Sequence, residues 1–389
     1  MSKACKNIEA EIIVIDNAST DGSRSFLESR FSNVRFIWND SNLGFSKANN
    51  LALKYTSGEY TLFLNPDTIV PEDCFKKCVD FFETHADCGA IGVKMIDGSG
   101  NFLKESKRSF PTPAASFYKF TGLHKLFPAN KTFAAYYAGH LPESNTASVE
   151  VLSGAFMMLS DKMLKRVKGF DEDFFMYGED IDLSYRVKKT GFKNYYFADT
   201  TIIHFKGEST QKNNPEYASR FYGAMKLFVQ KHYQEKKWQQ KLLLMAIGVG
   251  KKIAETKSKS KDRFQKNHTH TKAASLLIIA DNNRFNEMIQ QIRFSEKPFV
   301  ISGRIATNSR DDKPYSGQIN QIQGIIEKEK INYLLCCENG LTYQDIIELF
   351  VKHSTQTEFL IHAQNCQSII GSSNKEKNGM AILHQASEI

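Results

Sequence analysis

Residues 169–186, GFDEDFFMYGEDIDLSYR, gather Asp171, Glu172, Asp173, Glu179, Asp180 and Asp182 among Phe170, Phe174, Phe175, Met176 and Tyr177. A solvated acidic loop has no use for so many rings. A site that needs a carboxylate with a raised pKa does, because apolar neighbours disfavour the ionised form. The same residues also fit a helix start. Gly178 would end a loop, Glu179 and Asp180 would sit where the helix dipole favours negative charge, and Ile181, Leu183, Tyr185 and Val187 would anchor the helix body. The two readings hold together, and the stretch is read as the floor of an active site that activates an attacking group.

Such a floor needs strands to carry its partners. Residues 11–15, EIIVI, form a short apolar run ended by DNASTDGS, the pattern of a buried parallel strand followed by a turn and a helix start. Ligands of open α/β sheets bind beyond the carboxyl ends of strands, which places Asp16, Asn17, Ser19 and Asp21 to meet one. Asp21 and Ser23 can equally cap the next helix, a role less suited to Asp16 at the strand tip. Residues 34–38 give a second strand, and NDSNLGFSKANN leads from it into a helix. There Gly44 supplies backbone freedom and Asn42, Lys47 and Asn49 supply donors, as phosphates require. Residues 60–64 give a third strand ending in Asn65, Pro66, Asp67 and Thr68. An aspartate at a strand tip, fixed by a preceding proline, is a ligand for a hard cation, and a divalent metal with diphosphate is the natural pairing.

The segments VIDNASTDGS, NLGFSKAN, FLNPDT, SGAFMM, GFDEDFFMYGEDIDLSYR and HFKGEST, in this order, resemble family 2 glycosyltransferases of the inverting, GT-A type, most closely the rhamnosyltransferase-like branch. The resemblance covers about residues 8–235. It implies an α/β catalytic domain with a mixed, mostly parallel sheet, a nucleotide-diphosphate sugar as donor, a saccharide or lipid-linked acceptor, and Mg2+ or Mn2+. It implies Asp180 as the general base that takes the acceptor's proton. Tyr177, Glu179 and Asp182 then fall on the acceptor side, and Asp16, Asn17, Asn42, Gly44, Asn65 and Gly154 on the donor side. Asp67 matches the metal-binding carboxylate of the family's D-x-D motif, and His204 the histidine that closes round metal and diphosphate, with Ser209 in the same motif. Many members carry an acid where this chain has Asn65, so Asp67 is expected to bear most of the metal contact. Family members open with an apolar strand and a helix, and residues 1–10, MSKACKNIEA, resemble that helix's last turns. The true start, with about 25 residues of a first, central strand, is therefore expected upstream of Met1.

At 389 residues the chain is long enough for two domains, and 41% hydrophobic residues with 29 phenylalanines describe filled cores rather than disorder. No signal peptide or spanning segment is legible, since the apolar run at residues 242–250 falls far short of the about 20 residues that cross a bilayer. Seven cysteines without a C-x-x-C pair fit a reducing compartment, and Cys74 and Cys78, one helical turn apart, are read as buried thiols in preference to a metal site. The expected location is cytoplasmic, peripheral at the inner face of the plasma membrane. Residues 1–237 are assigned to the catalytic domain and 238–272 to an amphipathic segment with a basic linker, a packed helix or a membrane-interface contact. Much of the net charge of +8 falls in that segment, but aromatics for base stacking are nearly absent, which argues against nucleic acid. Residues 273–389 alternate apolar runs with helical patterns, a small Rossmann-like domain resembling the nucleotide-binding-like domain beside some polysaccharide-initiating sugar transferases. Its first turn, ADNNRF, lacks the glycines of a dinucleotide site, so a degenerate regulatory or assembly domain is expected. A catalytically impaired, transferase-like scaffold or binding protein is the alternative to an active enzyme.

Overall fold

The computed structural model describes residues 1–205, 215–261, 273–307, 316–338, 340–364, 366, 368–371 and 380–383. The first part of the chain runs β1 (Ile13–Asp16), α1 (Ser23–Glu28), β2 (Arg35–Trp38), α2 (Phe45–Leu53), β3 (Tyr60–Leu64), β4 (Thr68–Ile69), α3 (Cys74–Thr84) and β5 (Cys88–Ile96). It continues through α4 (Pro113–Thr121), α5 (Leu123–Leu126), β6 (Ala147–Val149), β7 (Phe156–Ser160), α6 (Asp161–Val167), α7 (Glu179–Lys189), β8 (Lys193–His204), α8 (Pro215–His232) and α9 (Lys237–Lys261). The second part runs β9 (Ala274–Ile279), α10 (Asn282–Ile292), β10 (Phe299–Ala306), β11 (Gly317–Gln318), α11 (Ile322–Glu329), β12 (Tyr333–Cys337), α12 (Tyr343–His353), β13 (Glu358–His362), β14 (Ser368–Gly371) and β15 (Met380–Leu383).

The main sheet of the first part has six strands, in the order β3-β7-β5-β8-β4 with β6 also on β8. Strands β5 and β8 are parallel, while β7, β4 and β6 run against their neighbours, so the sheet is mixed as expected but not mostly parallel: among the described residues one of its five pairings is parallel, because β7 enters between β3 and β5 from the opposite end and β4 and β6 flank β8 in reverse. Its strands are buried on both faces and alternate accordingly. Ile91, Val93 and Met95 of β5 with Phe156 and Met158 of β7 meet Phe75, Cys78 and Phe82 of α3. Ala90, Met157 and Leu159 face Met163, Leu164 and Val167 of α6 and Leu183 and Val187 of α7 on the other side. Cys74 and Cys78 are both buried in the first of these cores, and burial pushes the Cys78 thiol well up.

Strands β1 and β2 form a parallel pair of their own. That pair reaches the rest of the domain through α2, whose Phe45 N–H donates to the Phe175 carbonyl at 2.7 Å. Asn50 adds two bonds of 2.9 Å, to the carbonyl and the N–H of Phe170.

The expected boundary at 237/238 falls inside a helical hairpin. Leu243 of α9, with Leu244 and Ile247 partly buried, shares a core with Ala224, Met225, Phe228 and Val229 of α8. The segment expected as amphipathic segment and linker thus opens as a packed helix of the catalytic domain, because one of its faces carries the aliphatic residues that α8 needs covered. Strand β6 ends at Val149, and Val151 beyond it stands in an isolated bridge to Arg108.

The second part is one seven-stranded sheet in the order β11-β10-β9-β12-β13-β14-β15, its first five strands parallel and the last two antiparallel. Helices cover both faces. Leu277, Ile279, Leu334 and Cys336 pack on α11 and α12, and Leu276, Ile278, Leu335 and Cys337 pack on Met288 and Ile292 of α10.

The two sheets share a core. Ile96, Ile203 and Phe205 join Leu277, Ile279, Phe350 and Phe359, so the ends of β5 and β8 are buried against the second domain. The Glu72 carboxylate accepts from the backbone N–H of Tyr343 at 2.8 Å and of Gln344 at 3.3 Å, satisfying the start of α12 from across the junction. Lys3 pairs with Glu338 at 2.5 Å nearby. Phe350, fully buried and 4.1 Å from Phe359 between ring centroids, is central to this core. Phe350→Ala is expected to cost about 3–5 kcal/mol in urea unfolding, against under about 0.5 kcal/mol for Phe117→Ala on the exposed face of α4.

Candidate active site

Two antiparallel pairings fix one end of the main sheet. Leu64 of β3 stands opposite Phe156 of β7, so the Asn65 N–H donates to the Ala155 carbonyl at 3.0 Å and the Asn65-Pro66-Asp67 turn lies beside Gly154 and Ala155. Thr68 of β4 stands opposite His204 of β8, and the Phe205 N–H donates to the Asp67 carbonyl at 2.9 Å. These are the carboxyl ends of β3 and β8, the edge at which open α/β sheets bind ligands.

The second pairing brings Asp67 and His204 face to face. His204 Nε2 lies 3.2 Å from Asp67 Oδ1, with both side chains nearly buried. Among the described residues that oxygen nevertheless has no hydrogen-bond partner. A buried carboxylate oxygen left open beside an imidazole nitrogen is a donor set that fits a divalent cation such as Mg2+ or Mn2+. Among the described residues no third His, Cys, Asp or Glu completes a metal cluster, which leaves further positions to a ligand's oxygens and water. Asn65 contributes its backbone, its carbonyl accepting from the Thr68 hydroxyl at 2.7 Å. Ser209 lies outside the described residues.

Asp180 sits in the first turn of α7 with its carboxylate aimed back at the sheet edge. Its Oδ2 accepts from Arg108 Nη2 at 2.5 Å and from the Gly154 N–H at 3.3 Å, and its Oδ1 from the Ile181 N–H at 2.8 Å. The same Arg108 nitrogen donates to the Leu152 carbonyl at 2.8 Å, so the guanidinium ties α7 to the strand that enters β7. Arg108 is the functional residue that sequence reading missed. It stands in a loop 72 residues from its partner, and no periodicity links the two.

Glu179 is buried next to Asp180, with Oε2 unpartnered. Burial and the neighbouring Asp180 charge push its carboxyl up to about 8. The raised-pKa carboxylate expected from the acidic and aromatic stretch is thus found at Glu179.

The turn into α7 is sharp. Tyr177 and Gly178 have φ of 69° and 81°, a conformation that costs a tyrosine free energy and is held by ring contacts. Tyr177 meets Tyr217 and Phe221 of α8 with ring centroids 5.2 and 6.3 Å away. The loop ahead of it presses on the donor-side turn. A Cβ on Gly44, whose φ is 80°, would stand 2.5 Å from the Phe175 carbonyl oxygen and 2.6 Å from its ring. Only glycine fits there.

Several residues expected to bind ligand are occupied in building the loops. Asn42 Oδ1 accepts from the Gly44 N–H at 2.9 Å, and Asn17 donates to the Gly44 carbonyl at 3.2 Å and accepts from Asn39 at 2.9 Å. Asp16 Oδ1 accepts from the Ser19 N–H at 2.7 Å, its other oxygen remaining for a ligand. Asp182 leaves the acceptor side altogether. It is fully buried, paired with Arg186 Nε at 2.7 Å and His232 Nε2 at 2.6 Å, and fastens α7 to α8. The reason is helical geometry, since residues two apart point to nearly opposite faces.

Residues 3–144 match the family described as Glycosyl transferase family 2. The chain is similar to the N-acetylglucosaminyl-diphospho-decaprenol L-rhamnosyltransferase of Mycobacterium tuberculosis, with 27% identity over 233 residues, 56% of this chain and 74% of that one. It is 28% identical to the rhamnosyltransferase WbbL of Escherichia coli over 172 residues, 42% of this chain and 61% of that one. Among solved structures, a mannosyltransferase of Pyrobaculum calidifontis in complex with GDP-Man and Mn2+ aligns at a TM-score of 0.38 and 16% identity, over 64% of each chain. Residues 3–144 are thus those of a family 2 glycosyl transferase, and over the wider match the chain is similar to rhamnosyltransferases.

Proposed function

We propose that the chain is an inverting, metal-dependent transferase that moves a sugar from a nucleotide-diphosphate donor to a saccharide or lipid-linked acceptor in the synthesis of a cell-surface polysaccharide, in the cytoplasm at the inner face of the plasma membrane. The observation that carries this is the Asp67–His204 pair with its open carboxylate oxygen, set at the same sheet edge as Asp180. The names of the relatives, rhamnosyltransferases with a lipid-linked sugar among their substrates, support the substrate classes.

In this reading Asp16 and Asn17 meet the nucleotide, with Asn42 and Gly44 shaping the turn under it. Asp67 and His204 hold Mg2+ or Mn2+, which when bound offsets the charge gathered by the leaving diphosphate. Asp180 receives the proton of the acceptor hydroxyl as that oxygen attacks the anomeric carbon from the face opposite the diphosphate. Arg108 and the Gly154 N–H hold the Asp180 carboxylate in place, so the base keeps its aim when acceptor arrives. Glu179, protonated at neutral pH by its burial, adds an O–H donor and no second charge beside Asp180. A single carboxylate serves the proton transfer, unlike the paired carboxylates of retaining sugar hydrolases. The second domain is read as Rossmann-like and nucleotide-binding-like, a support for β4 and β8 rather than a second enzyme, in keeping with its strand order and its missing glycine fingerprint.

A screen of nucleotide sugars for thermal stabilisation, with and without Mn2+ or Mg2+, tests the proposal. One donor is expected to stabilise the chain in a metal-dependent way, and Asp67→Ala to abolish that shift. Stabilisation independent of metal, or intact in Asp67→Ala, contradicts the metal assignment. Binding without turnover of any donor would favour the scaffold reading.

Glu179 predicts a pH effect on stability. Its carboxyl ionises at about 8 when folded against a usual 4.5, so between those values the folded chain holds a proton that the unfolded chain has lost. Stability should therefore fall as pH rises through that window, by up to about 1.4 kcal/mol per pH unit, and level off above it. Glu179→Gln is expected to remove this slope in urea unfolding at a series of pH values.

A further inference from the structure

Among the described residues the α8–α9 hairpin presents two apolar faces, of which one is covered. Leu243, Leu244 and Ile247 pack on α8. Trp238, Leu242, Met245 and Val249, by contrast, are 65, 47, 57 and 54% exposed. At the α-helical 3.6 residues per turn these four fall within an arc of about 60°, a single stripe along α9. Exposed Lys237, Lys241 and Lys252 lie along one flank of that stripe. The helix packed beside it, α4, leaves Phe117 58% exposed, and the neighbouring α5 turn leaves Leu126 72% and Phe127 50% exposed. A soluble surface has no need of seven such side chains, and a run of apolar residues edged with lysine matches a particular kind of partner.

We infer that this face of α9 docks on an anionic phospholipid surface, with the apolar stripe at the boundary of headgroups and acyl chains and the lysines among the phosphates. Charge decides between the occupants. In a symmetric contact with a second copy the same patch meets itself, which would set lysine against lysine, whereas an anionic bilayer attracts them. The helix lies on the surface and does not cross it, for no helix among the described residues is long and apolar enough to span a membrane. The inference rests on the transferase reading and deepens it. Between the stripe and the turn into Asp180 stands one helix, α8, whose Tyr217 and Phe221 contact Tyr177. An acceptor anchored in the bilayer by its lipid would therefore be presented beside the acceptor side of the site, and a free saccharide would gain nothing from the stripe.

The test is sedimentation of the full chain with vesicles of phosphatidylcholine alone or mixed with phosphatidylglycerol, in the absence of any substrate. The chain is expected to sediment with the anionic vesicles, less so at high salt. Leu242→Ser with Met245→Ser should weaken that binding by about tenfold or more. Lys237→Glu with Lys241→Glu should weaken it by at least about tenfold and remove the preference for anionic lipid. Circular dichroism and donor hydrolysis are expected to match the unaltered chain in both variants, which excludes misfolding as the cause. No binding to anionic vesicles, or binding that both variants retain, overturns the inference. So does a finding that the serine variant turns a dimer into a monomer while vesicles are ignored. Donor hydrolysis without vesicle binding defeats this inference and leaves the transferase reading standing. Vesicle binding lost in the variants, with no donor ever turned over, upholds the docking face and defeats that reading.

Discussion

The register of β4 against β8 is the constraint on which the site depends. Strand β4 has only Thr68 and Ile69, yet pairing Thr68 with His204 is enough to bring an aspartate from one end of the domain's sequence to a histidine from the other. A slip of one residue would turn His204 to the opposite face of the sheet, away from Asp67. So short a strand cannot fix its own register. Ile69 and Ile203 are held by the hydrophobic core they share with the second domain, and Glu72, just past β4, satisfies the first turn of α12. The second domain thereby stabilises the geometry of the Asp67–His204 pair.

On the other side of the site the constraint is electrostatic. Asp180 is anchored by Arg108 and by the Gly154 N–H, so its position follows from both the helix it begins and the strand it faces. Charged hydrogen bonds of this kind are about twice as strong as neutral ones, and the low exposure of both side chains keeps water from competing. Next to this anchored charge a second carboxylate can be buried only by keeping its proton, and Glu179 does. The left-handed turn at Tyr177 and Gly178 is what lets two adjacent carboxylates face the sheet edge, and the rings of α8 hold that turn in place.

Much of this was legible in the sequence wherever a local pattern carried it. The strand at Tyr60–Leu64 was expected residue for residue, because an apolar run is ended there by Asn-Pro-Asp. The candidate metal pair was reached through motif order, since nothing local to His204 points to Asp67. Three things were not legible. Arg108 depends on a tertiary contact between segments without a shared pattern. Asp182 was grouped with its acidic neighbours although a helix turns it toward Arg186 and His232, a misassignment that the helical period alone could have prevented. The role of Gly44 lies in the 2.5 Å approach of the Phe175 carbonyl that a side chain would forbid, a constraint written in a loop more than a hundred residues further along.

The proposed chemistry turns on the Asp180 carboxylate taking the acceptor's proton. Single-turnover transfer by Asp180→Asn, at saturating donor and metal, tests it most directly. The amide keeps the size and the Gly154 contact of the carboxylate but cannot accept a proton. Donor affinity within about twofold of the unaltered chain, with transfer slowed by about 10²–10⁴, is the predicted result. Transfer at an undiminished rate in that variant would contradict the claim and return the role of base to another group.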